Sequence, residues 1–229
     1  MTSIYDSPKS YTAATLRGCA GGTYCGVDNM EDGGGGLPPP SGCVPAQGLL
    51  VQSGAGASTA NFIPAFGLYD YGISFNLYDQ SDFGSGEKRI TSLTFEATGY
   101  TPGYTYVDQE VALCHFSQSS IPLSPRADLA NVTGVSDFTV VKSGLSIDMT
   151  AGFKTVNFDN YFCYNGIDNL LLVWRNLDGT WASGYGQVTA DIFARGNEHA
   201  AYDYQDYNPI AGNQTLTMYS RRMMARWEY

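Results

Sequence analysis

Two histidines, His115 and His199, stand in the stretches LCHFSQ and NEHAAY. An imidazole is the usual group for moving a proton near neutral pH, so each is a first candidate for catalysis. Neither lies in the His-Glu-x-x-His spacing of a metalloprotease, and no Gly-x-Ser-x-Gly elbow offers an exposed serine. Both are read as ordinary strand or loop residues. Glycosidic-bond cleavage needs two carboxyl groups facing each other across about 5–9.5 Å. The candidates Glu87, Glu96, Glu110 and Glu198 are scattered, Glu96 belongs to the solvent side of a strand, and most aspartates fall in turns, where they bind local backbone. The expectation is a chain without catalytic residues and no enzyme.

Metal ligation follows the same test. Asp159, Asn160, Asp168 and Asn169 flank the dipeptide Asn165-Gly166 and supply the oxygen donors that calcium prefers, with Asp203 and Asp206 further on in YDYQDYN. They match no calcium-loop spacing, so calcium is a candidate ion and no other cofactor is expected. Cys19, Cys25 and Cys43 are separated by six and eighteen positions, without the paired knuckle of a zinc site. Five cysteines are an odd number in a chain long enough to build its own core, and free thiols are expected, a Cys19–Cys25 bridge being the simplest exception.

Aromatic side chains offer a third chemistry, stacking on sugar rings. Trp174 continues the apolar run NLLLVW and is assigned to the core, whereas Trp181 and Tyr185 follow the turn dipeptide Asp178-Gly179 and form the candidate glycan-binding pair.

The elements that must position these residues are strands. In ITSLTFEATG, Leu93, Phe95 and Ala97 alternate with Thr94, Glu96 and Thr98, the period of a half-buried strand. VDQEVALCHF, SDFTVVKSG, FKTVNFDNYF and GQVTADIFARG read as further strands, the last with Val188, Ala190 and Ile192 facing one way. NLLLVW is apolar on both faces and should be an interior strand covered by a second sheet, and the Asn-Gly and Asp-Gly pairs around it suit tight turns at positive φ. No convincing amphipathic helix appears, although LSPRADLANV has the composition for one turn.

The first sixty residues differ. GCAGGTYCG, EDGGGGLPPPSGC and QSGAGAST leave too little apolar area to offset the entropy of ordering the backbone. Within them Val44, Leu49, Leu50 and Val51 can dock on a neighbour. Residues 1–60 are therefore expected to form an extended assembly arm, and residues 61–229 a sandwich. The formal charge of −10 opposes binding to nucleic acid or anionic membranes. The start lacks the basic and apolar regions of a secretory leader, and no stretch has the length of a membrane span, so cytoplasmic synthesis without membrane insertion is expected.

The succession FGLYDYGISFNLYDQSDFGSGEKRITSLTFEATG, VALCHF, VSDFTVVKSGLSIDMTAGFKTVNFDNYFCYNGIDNLLLVWRNLDGTW and HAAYDYQDYNP resembles a β-sandwich domain of bacterial secreted and cell-surface proteins and of some tailed-phage virion proteins. GFKTVNFDNYFCYNGIDNLLLVWRN carries most of the likeness, and SRRMMARWEY takes the place of the final strand. The resemblance implies an all-β, jelly-roll-like, two-sheet antiparallel sandwich with an adhesive, accessory or structural role. The expected function is that of a non-enzymatic structural protein of a tailed-phage particle, located in the virion, with other copies of itself, neighbouring virion proteins and a cell-surface glycan as partners. The alternatives are a carbohydrate-binding or adhesive module of an extracellular or cell-surface protein, and the accessory domain of a polysaccharide hydrolase.

Overall fold

A computed structural model describes residues 48, 50–56, 58–99, 105–129, 131–181, 186–193 and 199–229. The chain divides into the units Met1–Gly42 and Cys43–Tyr229, and these residues all belong to the second. Their elements are β1 (Leu50–Ser53), β2 (Ser58–Ala60), β3 (Tyr71–Tyr78), the single turn α1 (Gln80–Phe83), β4 (Lys88–Ala97), β5 (Thr105–Phe116), β6 (Val135–Asp148), β7 (Gly152–Tyr164), β8 (Asn169–Asn176), β9 (Val188–Ile192), β10 (Ala200–Gln205), β11 (Thr217–Tyr219), β12 (Arg221–Met223) and β13 (Ala225–Glu228).

The strands form two antiparallel sheets. One has the order β11-β10-β3-β8-β5-β6; the other has β1-β13-β4-β9-β12, with β7 also paired to β4 and β2 to β9. The chain changes sheet after β2, β3, β4, β6, β7, β8, β9 and β11, the back-and-forth path of a jelly roll. The fold class read from the sequence is therefore the fold class observed.

Strand alternation builds the core between the sheets. Leu93, Phe95 and Ala97 of β4 point inward as expected, and a bulge between Ile90 and Ser92 lets Ile90 join them despite its odd spacing. From the opposite sheet come Tyr78, Val111, Leu113, Leu170, Leu172 and Trp174. The Trp174 indole donates to Gln109 Oε1 at 2.9 Å, and Gln109 Nε2 donates to Asn176 Oδ1 and to the Val107 carbonyl, so the polar atoms that this strand buries are paired.

β8 is buried on both faces, but only one meets the other sheet. Leu171 and Val173 on the second face pack with Phe75, Leu77, Phe116, Ile121, Ala127, Val132 and Leu216. The loop that precedes β6 and the loop that follows β10 supply that cover. They are fastened to each other by Ala127 N–H on the Gln214 carbonyl and Leu216 N–H on the Pro125 carbonyl, at 2.9 and 2.8 Å.

Several expectations need correction. The sandwich begins before residue 61: β1 lies on β13, with Leu50 opposite Glu228 and Val51 opposite Trp227, and β2 lies on β9. Leu50 and Val51 thus belong to a strand paired within their own chain, because β13 offers a ladder edge for it. Val44 and Leu49 lie outside the described residues. The strand in SDFTVVKSG does not stop there, since β6 runs through Gly144 at φ +59° to Asp148. Asn165-Gly166 closes no hairpin but a corner between sheets, β7 being on β4 and β8 on β3 and β5. Gly166 is needed there, at φ +69° with backbone of Gly86 within 2.5 Å of where a Cβ would stand. Ile192 is exposed at the end of its strand. Cys163 is disulfide-bonded, to a partner outside the described residues, so the thiols are not all free.

The segment SRRMMARWEY supplies two short strands, β12 and β13, instead of a single final one. Arg222 of β12 is buried, donating Nη1 to the Leu77 carbonyl at 3.1 Å and to Asp82 Oδ2 at 3.2 Å, and Nη2 to Asp191 Oδ2 at 3.4 Å. The guanidinium lies over the Tyr78 and Phe193 rings. Asp191 Oδ1 then accepts the N–H groups of Ala55 and Gly56 at 2.8 and 2.9 Å, binding the β1–β2 link to β9. Burial pushes the Asp82 carboxyl above its ordinary range against the pull of Arg222, while the hydrogen bond from His199 holds that of the more exposed Asp79 below it.

Removing the guanidinium leaves buried carboxylates without their counter-charge, so Arg222→Met should cost roughly 3 kcal/mol or more in urea unfolding at pH 7. A carboxyl whose folded pKa is raised binds its proton more tightly in the folded state, so its contribution favours folding at low pH and is lost as pH rises past the unfolded value near 4. The deficit of the variant should accordingly shrink between pH 7 and pH 4; an equal deficit at both ends would contradict the role of Arg222.

Candidate functional site

A groove of about 490 Å³ opens at one end of the sandwich, lined by Phe66, Leu68, Tyr69, Trp181 and Asp206. Its aromatic wall is built from two segments that the fold brings side by side, the approach to β3 and strand β10. Tyr69 lies 4.2 Å between ring centroids from Tyr204, Phe66 lies 4.9 Å from Tyr204, and Phe62 stacks on Tyr202 at 4.7 Å. Edge and stacked contacts of this kind fix ring orientations. Burial pushes the Tyr202 phenol up to about 12, so this support stays uncharged at neutral pH.

Asp70 holds the two turns that complete the groove. Its carbonyl accepts the N–H of Gly179 at 3.0 Å, just before Trp181, and its carboxylate accepts the N–H of Tyr207 at 3.0 Å, just after Asp206. Asp178 adds a second anchor, with Oδ2 taking the Val107 N–H at 2.9 Å and Oδ1 the Thr180 hydroxyl at 2.6 Å. The Asp-Gly turn expected from the sequence is present, with Gly179 at φ +72°. Trp181 therefore leaves a pinned turn with its ring 64% exposed, and Tyr207 is exposed on the opposite turn at φ +70°.

Chemically the groove offers an indole face, a phenol and one carboxylate. Neither the Trp181 side chain nor the Asp206 carboxylate takes a hydrogen-bond or ion-pair partner among the described residues. A solvent-facing aromatic beside an uncommitted acceptor combines an apolar platform with a polar group that sets orientation, the composition of a small-ligand site.

The sequence-predicted residues divide clearly. Trp181 lines the groove; Tyr185 lies outside the described residues. Trp174 is in the core. The four calcium candidates are not assembled: Asp159 is paired with Lys142 at 2.6 Å, Asn160 donates to the Val140 carbonyl, the Asp168 carboxylate accepts from Asn165 Nδ2 at 2.7 Å, and Asn169 Oδ1 accepts the Gln80 N–H at 2.7 Å. Among the described residues no three His, Cys, Asp or Glu side chains are grouped to hold a metal ion. Phe66, Leu68, Tyr69 and Asp70 escaped the sequence reading, and the signal was the aromatic density of FGLYDY immediately before a strand.

Several of the groups able to do acid–base chemistry are engaged elsewhere; Glu198 lies outside the described residues. His115 accepts the Asn165 N–H at Nε2, 2.9 Å away, so in this neutral tautomer its proton sits on Nδ1 and is donated to Asp137 at 3.0 Å. Both nitrogens are thus committed, and the ring serves as a brace for the Asn-Gly corner. His199 stacks on Phe193 at 4.1 Å and bonds to Asp79 at 3.2 Å. Glu96, expected to face solvent, is half-buried and accepts the Thr189 hydroxyl at 2.8 Å, while Glu110 is paired with Arg175. Burial raises the thiol pKa of Cys114 far above its ordinary range, which removes the thiolate that a nucleophile would need.

With Trp174 and Trp227 buried and Trp181 exposed, acrylamide should quench one tryptophan class selectively. Trp181→Phe should abolish that quenchable component; a residual component of the same accessibility would place another tryptophan at the surface.

Comparison of the chain with protein-family models, with curated proteins and with solved structures yields no match.

Proposed function

We propose that this chain is a non-enzymatic structural protein of a tailed-phage particle, a capsid decoration, head fibre or tail component, which displays its sandwich at the surface and meets a cell-surface glycan through the aromatic groove. The observation that carries the reading is the exposed Trp181 beside Asp206, whose carboxylate has no partner among the described residues, on a sandwich where other carboxylates such as Asp191 and Asp159 are ion-paired. Support for the particle setting comes from the order of segments that resembles virion and surface sandwiches. The net charge of −10 disfavours nucleic acid as a partner and leaves proteins and neutral glycans.

The Cys163 disulfide bears on the surroundings in which the protein works. Such bonds persist on virions, on cell surfaces and in secreted proteins, where no reducing pool acts on them. It favours equally the second reading, a carbohydrate-binding or adhesive module of an extracellular protein.

The two readings separate by where the polypeptide resides. Mass spectrometry of density-purified particles should find it at a fixed ratio to the major shell protein, and recovery only in the soluble secreted fraction would select the adhesive module instead. Removing Met1–Gly42 keeps β1 and β2 in place, so the truncated chain should retain its β-rich circular dichroism yet fail to enter particles. Normal incorporation of that variant would contradict assembly through the arm.

A further inference from the structure

We infer that the groove takes a neutral hexopyranose presenting two adjacent hydroxyl groups, and that its single carboxylate excludes acidic sugars. The inference rests on the glycan half of the proposed function and narrows it to a ligand class.

Three observations lead there. First, the groove's described lining is mostly aromatic: Trp181 is 64% exposed, and Tyr69 and Phe66 are held by contacts to Tyr204 at 4.2 and 4.9 Å. An aromatic ring face fits the C–H face of a pyranose ring better than a flexible aliphatic chain, which would lose more conformational entropy on ordering. Second, the lining residue that can bind a charged or hydroxylated ligand through an ion or a paired acceptor is Asp206, half-buried and without a partner among the described residues. A carboxylate is acceptor-only, and its two oxygens can take the protons of two neighbouring hydroxyls at once. Third, the described lining contains no Lys, Arg or His, and the chain carries −10 overall. A uronate, sialate or phosphorylated sugar would bring its negative charge against Asp206 with no cation to offset it, which penalises that class specifically.

The positions of Trp181 and Asp206 are also coupled. Asp70 ties together the backbone of the two turns that carry them, through Gly179 and Tyr207, without a ligand present. A preformed site of this kind loses little freedom on binding, which suits a weak, repeated contact with a polysaccharide displayed in many copies. Asp70 is here a positioning residue, not a ligand.

The test uses the full chain on an array of immobilised oligosaccharides in two sets, neutral hexose-terminated and uronate- or sialate-terminated. The wild type should bind members of the neutral set and leave the acidic set near background. Trp181→Ala should weaken binding to the neutral set about tenfold. Asp206→Asn keeps the size of the side chain but removes its charge, so it should weaken neutral binding while narrowing the gap between the sets. Circular dichroism and thermal midpoints matching the wild type establish that both variants are folded. Binding to neither set, stronger binding to the acidic set, or an Asp206→Asn variant with an unchanged ratio between the sets would each overturn the inference. If the chain binds neutral glycans as described but is absent from particles, the particle setting fails and the ligand class stands. If it is found in particles and binds neither set, the opposite holds.

Discussion

The architecture depends on the requirement that β8 be covered on both faces. A strand reading NLLLVW cannot leave either side in water, and the antiparallel partner sheet can reach only one of them. The second side is closed by the loops that precede β6 and follow β10, which is why these loops carry Ile121, Ala127, Val132 and Leu216 and are fastened to each other by backbone hydrogen bonds. The same demand shapes the groove. The chain leaves β8 at the Asp-Gly turn that presents Trp181, and the second covering loop starts at the turn that presents Asp206. Both ends of the groove are by-products of burying one strand, joined through Asp70.

Polar groups inside this frame act as fasteners. The Trp174–Gln109–Asn176 set satisfies the polar atoms beside β8, His115 braces the sheet-crossing corner at Asn165, and Arg222 gathers carboxylates from two segments, α1 and β9. A buried guanidinium contributes little net stability when fully paired, but it is costly to leave half-paired, so a cluster of this kind specifies one arrangement of α1, β9 and β12 over its alternatives. Its reach extends through Asp191 to residues 55 and 56, which explains how a glycine-rich link without apolar anchors holds a defined course. Gly54 belongs to that course, since a Cβ there would fall on the Asp191 carboxylate.

What the sequence made legible was local. Period-two alternation in β4, the double-sided apolar run of β8, the two glycine turns at positive φ and the assignments of Trp174 to the core and Trp181 to the surface all depend on neighbours within a few residues. What it concealed was pairing across the chain. Asn-Gly suits a hairpin, yet whether the next strand folds back or crosses to the other sheet is decided by β3 and β5, whose edges compete for β8. Leu50 and Val51 sat in a stretch whose composition argues for no structure, and only the open edge of β13, nearly two hundred residues away in the chain, recruits them. Arg222 finds its partners only in the fold, since nothing nearby in sequence announces Asp82 and Asp191. The groove was half visible for the same reason, Trp181 being marked by its turn while Phe66 and Tyr69 acquire their place only when β10 lies beside β3.

The pairing of Leu50 with Glu228 has a mechanical meaning. The polypeptide enters the sandwich and runs out of it at adjacent points on one sheet, so a force applied between those points is borne by the short β1–β13 ladder and not by the layers between the sheets. Tugging on the leading segment would unzip a few backbone contacts before it strained any aromatic packing. The groove, whose walls belong to the approach to β3 and to the turns after β8 and β10, lies off that line of load and would keep its shape while the ladder gave way.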